Sequence, residues 1–275
     1  MEVSKLHYET FKKGSKTYFN SSRFFPSEIR SDVFILYGFV RVADNLVDSV
    51  PQDAEGFYTF SRKYQVALSG TPAQDPLIDS FVDLSHRKNF DPAWTKAFLH
   101  SMELDLIKKE YQNLDETLEY IYGSAEVIGL YMCAILGLPS AAQNSAVMMG
   151  RSMQYINFIR DLAEDTGFGR RYLPLVNTSL KSLNYEETRN HPKEFISFLR
   201  QQAEIYLKWQ KEAEKGYQYL PKNLLVPVKT ASDMYNWTAR KIMKDPFIVY
   251  KKKVKPGKLR ILLTFFFNQF YQPEK

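Results

Sequence analysis

Apolar residues in this chain recur at steps of three and four, not two, and that period restricts it to helices packed on helices. Val33, Leu36, Val40, Ala43 and Val47 mark one such stripe, with Asp44 and Asp48 beside it. Ile121, Ile128, Tyr131 and Ile135 mark a second, stopped by Gly137 and Pro139. Met149, Met153, Ile156, Ile159 and Leu162 mark a third, ending near Thr166-Gly167. A fourth helix is predicted over 195–219, broken by Pro221. A fifth is predicted over 231–243, with Thr230 or Ser232 as N-cap and Asp245-Pro246 as stop. Residues 85–109 add one or two more, with Asp91-Pro92 as a start signal, and 172–191 reads as a loop. Only 12 Gly and 13 Pro punctuate the 275 residues, and neither a composition shift nor a repeat period divides them. The expectation is an all-α chain, a single domain over 1–275 built as a helical bundle with a site in its core.

The bulk numbers narrow the function. A hydrophobic fraction of 44% excludes wholesale disorder. The single cysteine, Cys133, cannot form an internal disulfide and lies among apolar neighbours, so a buried thiol is expected. His7, His86, His100 and His191 form no ligand-spaced pair. Residues 1–16 lack the apolar core of a signal peptide, and no apolar run approaches the roughly 20 residues of a membrane span, so a cytoplasmic protein is expected. A net charge of +6 points to an anionic partner: nucleic acid, anionic lipid or a diphosphate. No zinc-finger, RRM or basic-zipper pattern is present, so no nucleic-acid partner is expected. Lys251, Lys252, Lys253, Lys255, Lys258 and Arg260 precede the apolar stretch 261–267. Three readings stand for them: a solvated turn before a core helix, peripheral contact with an anionic membrane surface, or lysines at a diphosphate mouth.

The chemistry is carried by a spacing that occurs twice. Arg41 is followed by Asp44 and Asp48, and Arg160 by Asp161 and Asp165. Carboxylates four apart share one helix face, roughly 5–6 Å apart at Cβ. Their repulsion calls for a cation, and an oxygen-rich site suits Mg²⁺ with substrate phosphates. Arginine grips phosphate oxygens through paired hydrogen bonds. Either pair alone reads as a solvated helix face; the arginine preceding each favours a Mg²⁺–diphosphate enzyme. Gly167-x-Gly169 lacks the strand and helix a dinucleotide loop needs, and no NADPH site is expected.

Tyr37-x-x-x-Arg41-x-x-Asp44-x-x-x-Asp48 resembles the first signature of the squalene/phytoene synthase family. Gln154-x-x-Asn157-x-x-Arg160-Asp161-x-x-Glu164-Asp165, followed by Gly169-Arg170 and Tyr172-Leu173-Pro174, resembles its second. Gly14-Ser15-Lys16-Thr17-Tyr18 with Pro26 is similar to the family's N-terminal substrate flap. Residues 100–106 are similar to its mid-chain Asp-Leu helix, and Tyr120-x-x-x-x-Ala125-x-x-Ile128-Gly129 to its Tyr…Ala-Gly…Gly stretch. The resemblance implies an isoprenoid-synthase-type bundle with a central apolar cavity that condenses two prenyl diphosphates head to head. It implies Asp44, Asp48, Asn157, Asp161 and Asp165 as ligands of Mg²⁺, or of Mn²⁺ in its place. Diphosphate contacts would come from Arg41, Arg160, Tyr37 and Arg170, and a substrate contact from Gln154. Ser15, Lys16, Thr17 and Tyr18 would cover one diphosphate, and Tyr120 would lie near the reacting carbons.

Three positions depart from the pattern: Asn45 for a middle Asp, Glu126 for the glycine after Ala125, and Ser101 for a mid-chain glycine. Glu126 in place of a close-approach glycine puts the local backbone in question. The expected reaction joins two C20 geranylgeranyl diphosphates into phytoene through a cyclopropylcarbinyl diphosphate. Its alternatives are C15 condensation to presqualene diphosphate, dehydrosqualene or squalene, and a non-catalytic relative acting as a binding or assembly factor.

Overall fold

The structure is a computed structural model that describes residues 25–273; the flap residues Ser15, Lys16, Thr17 and Tyr18 lie outside them. The described residues form thirteen α-helices joined by turns and, over 168–184, by one long loop, with a single isolated bridge, Glu110 to Arg171, as the only β-type pairing among them.

Helices α1 (Ser27–Asp48), α2 (Ala54–Leu68), α3 (Pro76–Arg87), α4 (Pro92–Ile107) and α6 (Val127–Ile135) bury one apolar cluster. At its centre Phe39 stacks on Phe81 with ring centroids 3.9 Å apart, and Tyr64 and Phe98 pack at their edges. Helices α5 (Leu114–Ile121), α7 (Gln143–Arg160), α10 (Pro192–Glu214) and α11 (Lys222–Lys244) bury a second cluster around Tyr155, Ile156, Ile159, Phe195 and Leu199. Between the two lie the carboxyl ends of α1 and α4 and the junction of α7 with α8 (Leu162–Gly167). All four candidate aspartates sit there.

Of the predicted start signals, Asp91 caps its helix, whereas Thr230 and Ser232 lie inside α11 (Lys222–Lys244) and cap nothing. Asp91 accepts from the Ala93 amide ahead of α4, and Asp53 and Asp75 do the same for α2 and α3. Helix α2 was not anticipated. Two predicted boundaries are corrected. The 172–191 stretch contains α9 (Tyr185–Asn190), capped by Asn184. Helix α11 begins nine residues before the predicted 231, because buried Leu224, Leu225 and Val226 hold its first turns around Pro227. Cys133 is buried, as expected. After α12 (Ile248–Lys251), the last helix, α13 (Lys258–Asn268), is not the core helix that one reading gave it: of its residues only Asn268 is buried.

Glu126 closes a single π-helical turn, Tyr122–Glu126, between α5 and α6. The close approach expected of a glycine here comes from the facing helix instead. A Cβ on Gly150 of α7 would sit 2.2 Å from the Ala125 carbonyl oxygen. The buried Glu126 carboxylate can then meet Arg151, one residue further along α7, at 2.6 Å. Arg151 in turn lies over Trp209 of α10, 5.5 Å from the ring centre.

Candidate active site

The first acidic motif occupies an unfavourable place. Asp44 and Asp48 lie in the last turns of α1, where the helix dipole disfavours anions, and that helix has no basic residue in its last turn. Compensation comes from 122 residues away. Arg170 donates to Asp48 Oδ1 at 2.7 Å, to the Val47 carbonyl at 3.0 Å and to the Asp105 carbonyl at 3.4 Å, so one guanidinium caps the ends of α1 and α4 together. Gln52 reinforces the link, donating to the same two carbonyls at 2.7 and 2.9 Å. Arg41 holds Asp44 at 2.5 Å.

The second motif begins where α7 stops. Asp161 breaks the helix at φ −97°, and α8 restarts with Glu164 and Asp165 in its first turn, where the dipole favours them. Arg160 grips Asp161 through two hydrogen bonds of 2.9 and 2.5 Å. Gly169 then takes φ +69°, a left-handed turn that suits glycine, and the chain doubles back so that the Arg170 amide reaches the Asp165 carbonyl at 2.8 Å. This is the physical content of the Gly169-Arg170 pair: the glycine aims the arginine at the first motif. Lys253, from the basic stretch, reaches Asp161 at 3.2 Å and Glu164 at 2.6 Å.

Between the motifs lies Asp105 of α4, a buried carboxylate that sequence reasoning did not single out. It accepts from the Tyr120 hydroxyl at 2.7 Å and the Tyr172 hydroxyl at 2.6 Å. Tyr120, Tyr172, Tyr111 and Phe158 pack as one aromatic group, with Phe158 stacked on Tyr172 at 4.3 Å. The Leu104-Asp105-Leu106 triplet of the stretch similar to the mid-chain Asp-Leu helix was the available signal. Asp48, Gln52, Lys109, Phe168 and Arg170 line a cavity of about 250 Å³ at the surface beside this group.

Burial raises the carboxyls of this region. Asp44 is pushed up to about 6, by burial first and then by the charges of Asp48 and Asp105, against the pull of Arg41. Asp105 also rises to about 6, by burial opposed by its hydrogen bonds and by Arg170. Asp165 rises to about 8, by burial and by its neighbours Asp161 and Glu164. Burial and the nearby Asp105 hold Tyr120 well above the usual phenol range, so its proton stays on the hydroxyl at neutral pH.

Of the remaining sequence candidates, Tyr37 lies half-buried on α1 and Gln154 lies on α7, 3.4 Å from the Asn157 amide. Asn157 Oδ1 is buried without a hydrogen-bond partner among the described residues. Asp44, Asp48 and Asp161 are paired with Arg41, Arg170 and Arg160, and Lys253 reaches Asp161 and Glu164. Among the described residues, no three His, Cys, Asp or Glu side chains converge as a ready metal cage. Arg170 links the two motifs, with its guanidinium on Asp48 and its amide on the Asp165 carbonyl.

An all-helical bundle with paired acidic motifs at its helix ends defines a class of isoprenoid synthase. The chain is similar in fold to squalene synthase HpnC from Alicyclobacillus acidocaldarius, with a TM-score of 0.79 at 15% identity over 88% of this chain and 94% of that one. It is likewise similar to a dehydrosqualene synthase solved with ligand, with a TM-score of 0.82 at 18% identity over 96% and 94%. In sequence it is 27% identical to a 15-cis-phytoene synthase of Pantoea ananas over 93% of this chain and 88% of that protein. It is 26% identical to one of Enterobacter agglomerans over 91% and 90%. The squalene/phytoene synthase family model matches residues 11–260, and the chain belongs to that family. It is accordingly a prenyltransferase of the head-to-head condensing type.

Proposed function

We propose that the chain, acting as one catalytic domain over 1–275, condenses two geranylgeranyl diphosphates into phytoene through a cyclopropylcarbinyl diphosphate. The observation that carries the reading is Arg170: one side chain ties Asp48 to the helix end bearing Asp105, beside the Tyr120–Tyr172 aromatic group. The C20 substrate rests on the phytoene synthases among its relatives.

The donors suit Mg²⁺, with Mn²⁺ as the alternative. Asp44, Asp48, Asn157, Asp161 and Asp165 offer only oxygen, and the orphaned Asn157 Oδ1 is an acceptor awaiting a partner. Bound there, the metal supplies Lewis-acid neutralisation of the departing diphosphate. Arg41, Arg160, Arg170 and Lys253 hold Asp44, Asp48 and Asp161 in its absence. With substrate bound, Arg41, Arg160 and Arg170 turn to the diphosphate oxygens, joined by Tyr37, Gln154 and the flap residues Ser15, Lys16, Thr17 and Tyr18. Tyr120, fixed through its hydroxyl to Asp105, presents a ring to the allylic cation, where aromatic faces stabilise positive charge. Because Tyr120 keeps its own proton at neutral pH, the final proton passes to a diphosphate oxygen or a carboxylate. The apolar clusters on either side keep water from the cation. The protein acts in the cytoplasm, in peripheral contact with a membrane surface, and needs no NADPH.

The test is a product assay. Purified chain with Mg²⁺ receives geranylgeranyl or farnesyl diphosphate, each with and without NADPH, and the organic extract is weighed by mass spectrometry. A C40 hydrocarbon from the C20 substrate without NADPH is expected. A C30 product would transfer the assignment to C15 condensation, and an absence of condensation by folded protein would overturn it.

A further inference from the structure

We propose that the outer face of α13 docks the protein on an anionic lipid bilayer. Leu259, Leu262, Leu263, Phe266 and Phe267 recur at steps of three and four along α13, and Phe270 continues the row past its end. At 100° per residue they occupy a single face, and each is between 48% and 72% exposed. Soluble surfaces scatter such residues singly; a contiguous row marks a contact surface.

The inner face fixes this orientation. Asn268 is buried and donates to Thr230 Oγ1 at 3.1 Å and Asp233 Oδ2 at 2.8 Å on α11. Arg260 lies 5.0 Å over the Trp237 ring. The helix therefore cannot roll its leucines and phenylalanines inward without breaking these contacts.

Charge identifies the occupant. Between Asp245 and Glu274 the chain carries six Lys and Arg and no carboxylate. Lys252, Lys255 and Lys258 are exposed around the start of the helix, while Lys251 pairs with Asp245 at 3.4 Å. An apolar, aromatic face with a lysine collar complements acyl chains beneath anionic headgroups. A second copy fits less well, because a two-fold contact sets the same patch against itself and brings the two collars together.

The placement suits the proposed chemistry, on which this inference rests in part, since prenyl substrates and products partition into lipid. Lys253 touches the second acidic motif, and the five residues from it to Lys258 span at most ~18 Å. A bilayer under α13 thus lies near the diphosphate end of the site.

The test is co-sedimentation of the full chain with phosphatidylcholine vesicles and with vesicles also containing phosphatidylglycerol, at low salt. The wild type should sediment with the anionic vesicles and stay in solution with neutral ones. Phe266→Ser with Phe267→Ser should weaken binding roughly a hundredfold, at about tenfold per exposed ring withdrawn. Lys252→Gln with Lys258→Gln should weaken it roughly thirtyfold, at about 1 kcal/mol per charge. Both variants should keep the wild-type melting temperature and, with detergent-dispersed substrate, wild-type condensation. Folded wild type that fails to sediment with anionic vesicles would overturn the proposal. So would a serine variant that binds as well as wild type, or light scattering that shows a wild-type dimer broken by the serine pair. Vesicle binding with no condensation product would sink the functional assignment and leave the surface standing.

Discussion

The Glu126–Arg151 pair makes an asymmetric prediction. The Glu126 side chain is 3% exposed and the Arg151 side chain 21%. Removing the arginine strands a carboxylate in the interior, whereas removing the carboxylate strands a guanidinium that still reaches solvent and rests on Trp209. Breaking a buried pair from one side costs about 3–5 kcal/mol. In Arg151→Ala the carboxylate can escape by taking up a proton, which for an ordinary glutamate at pH 7 costs about 3.7 kcal/mol and falls by about 1.4 kcal/mol per pH unit. The loss should therefore be about 3–4 kcal/mol at pH 7 and about 1–2 kcal/mol near pH 5.5. Glu126→Gln should cost about 1–2 kcal/mol at both values, as the loss of one charged hydrogen bond. Replacing both by apolar residues of like volume, Glu126→Leu with Arg151→Met, should return most of the stability. Urea unfolding followed by circular dichroism at the two pH values measures all three. An Arg151→Ala cost below 1 kcal/mol, one that does not shrink on acidification, or one smaller than that of Glu126→Gln would refute the reasoning.

Without divalent metal, stability should fall as pH rises. The folded state holds protons on Asp44 and Asp105 up to about 6 and on Asp165 up to about 8, while the unfolded chain releases them near 4. The stabilisation is complete below pH 4 and is lost through pH 6 and then 8; thermal melts in EDTA should show it, and Asp165→Asn should flatten the upper part. Arg170→Ala should lower condensation roughly a hundredfold and Arg170→Lys nearly as much, because a shorter ammonium lacks the planar fork that puts one nitrogen on Asp48 and the other on the two carbonyls; steady-state kinetics on both variants test this, and near-wild-type turnover by the lysine variant would contradict it. Asp161→Ala should abolish turnover while melting within about 1 kcal/mol of wild type, and it should lose the joint stabilisation that Mg²⁺ and a prenyl diphosphate analogue give the wild type.

The helices and the chemical residues of this protein are written locally. Apolar spacing along α1, α6 and α7 follows from the 3.6-residue turn, Asp91 starts a helix by capping it with its side chain, and Gly137 stops one through its left-handed backbone. The acidic motifs and their arginines are likewise legible within eight residues. What the sequence could not disclose are the pairings between distant segments. Arg170 meets Asp48 across 122 residues, and Arg171 meets Glu110 across 61. Asp105 looked like one acid among many until the fold buried it under Tyr120 and Tyr172. Glu126 looked like a steric fault until Gly150 cleared the crossing and Arg151 met its charge. An apolar row such as α13 reads the same whether it faces a core or a bilayer, because periodicity fixes which residues share a face. Only packing against α11 decides which face is turned outward.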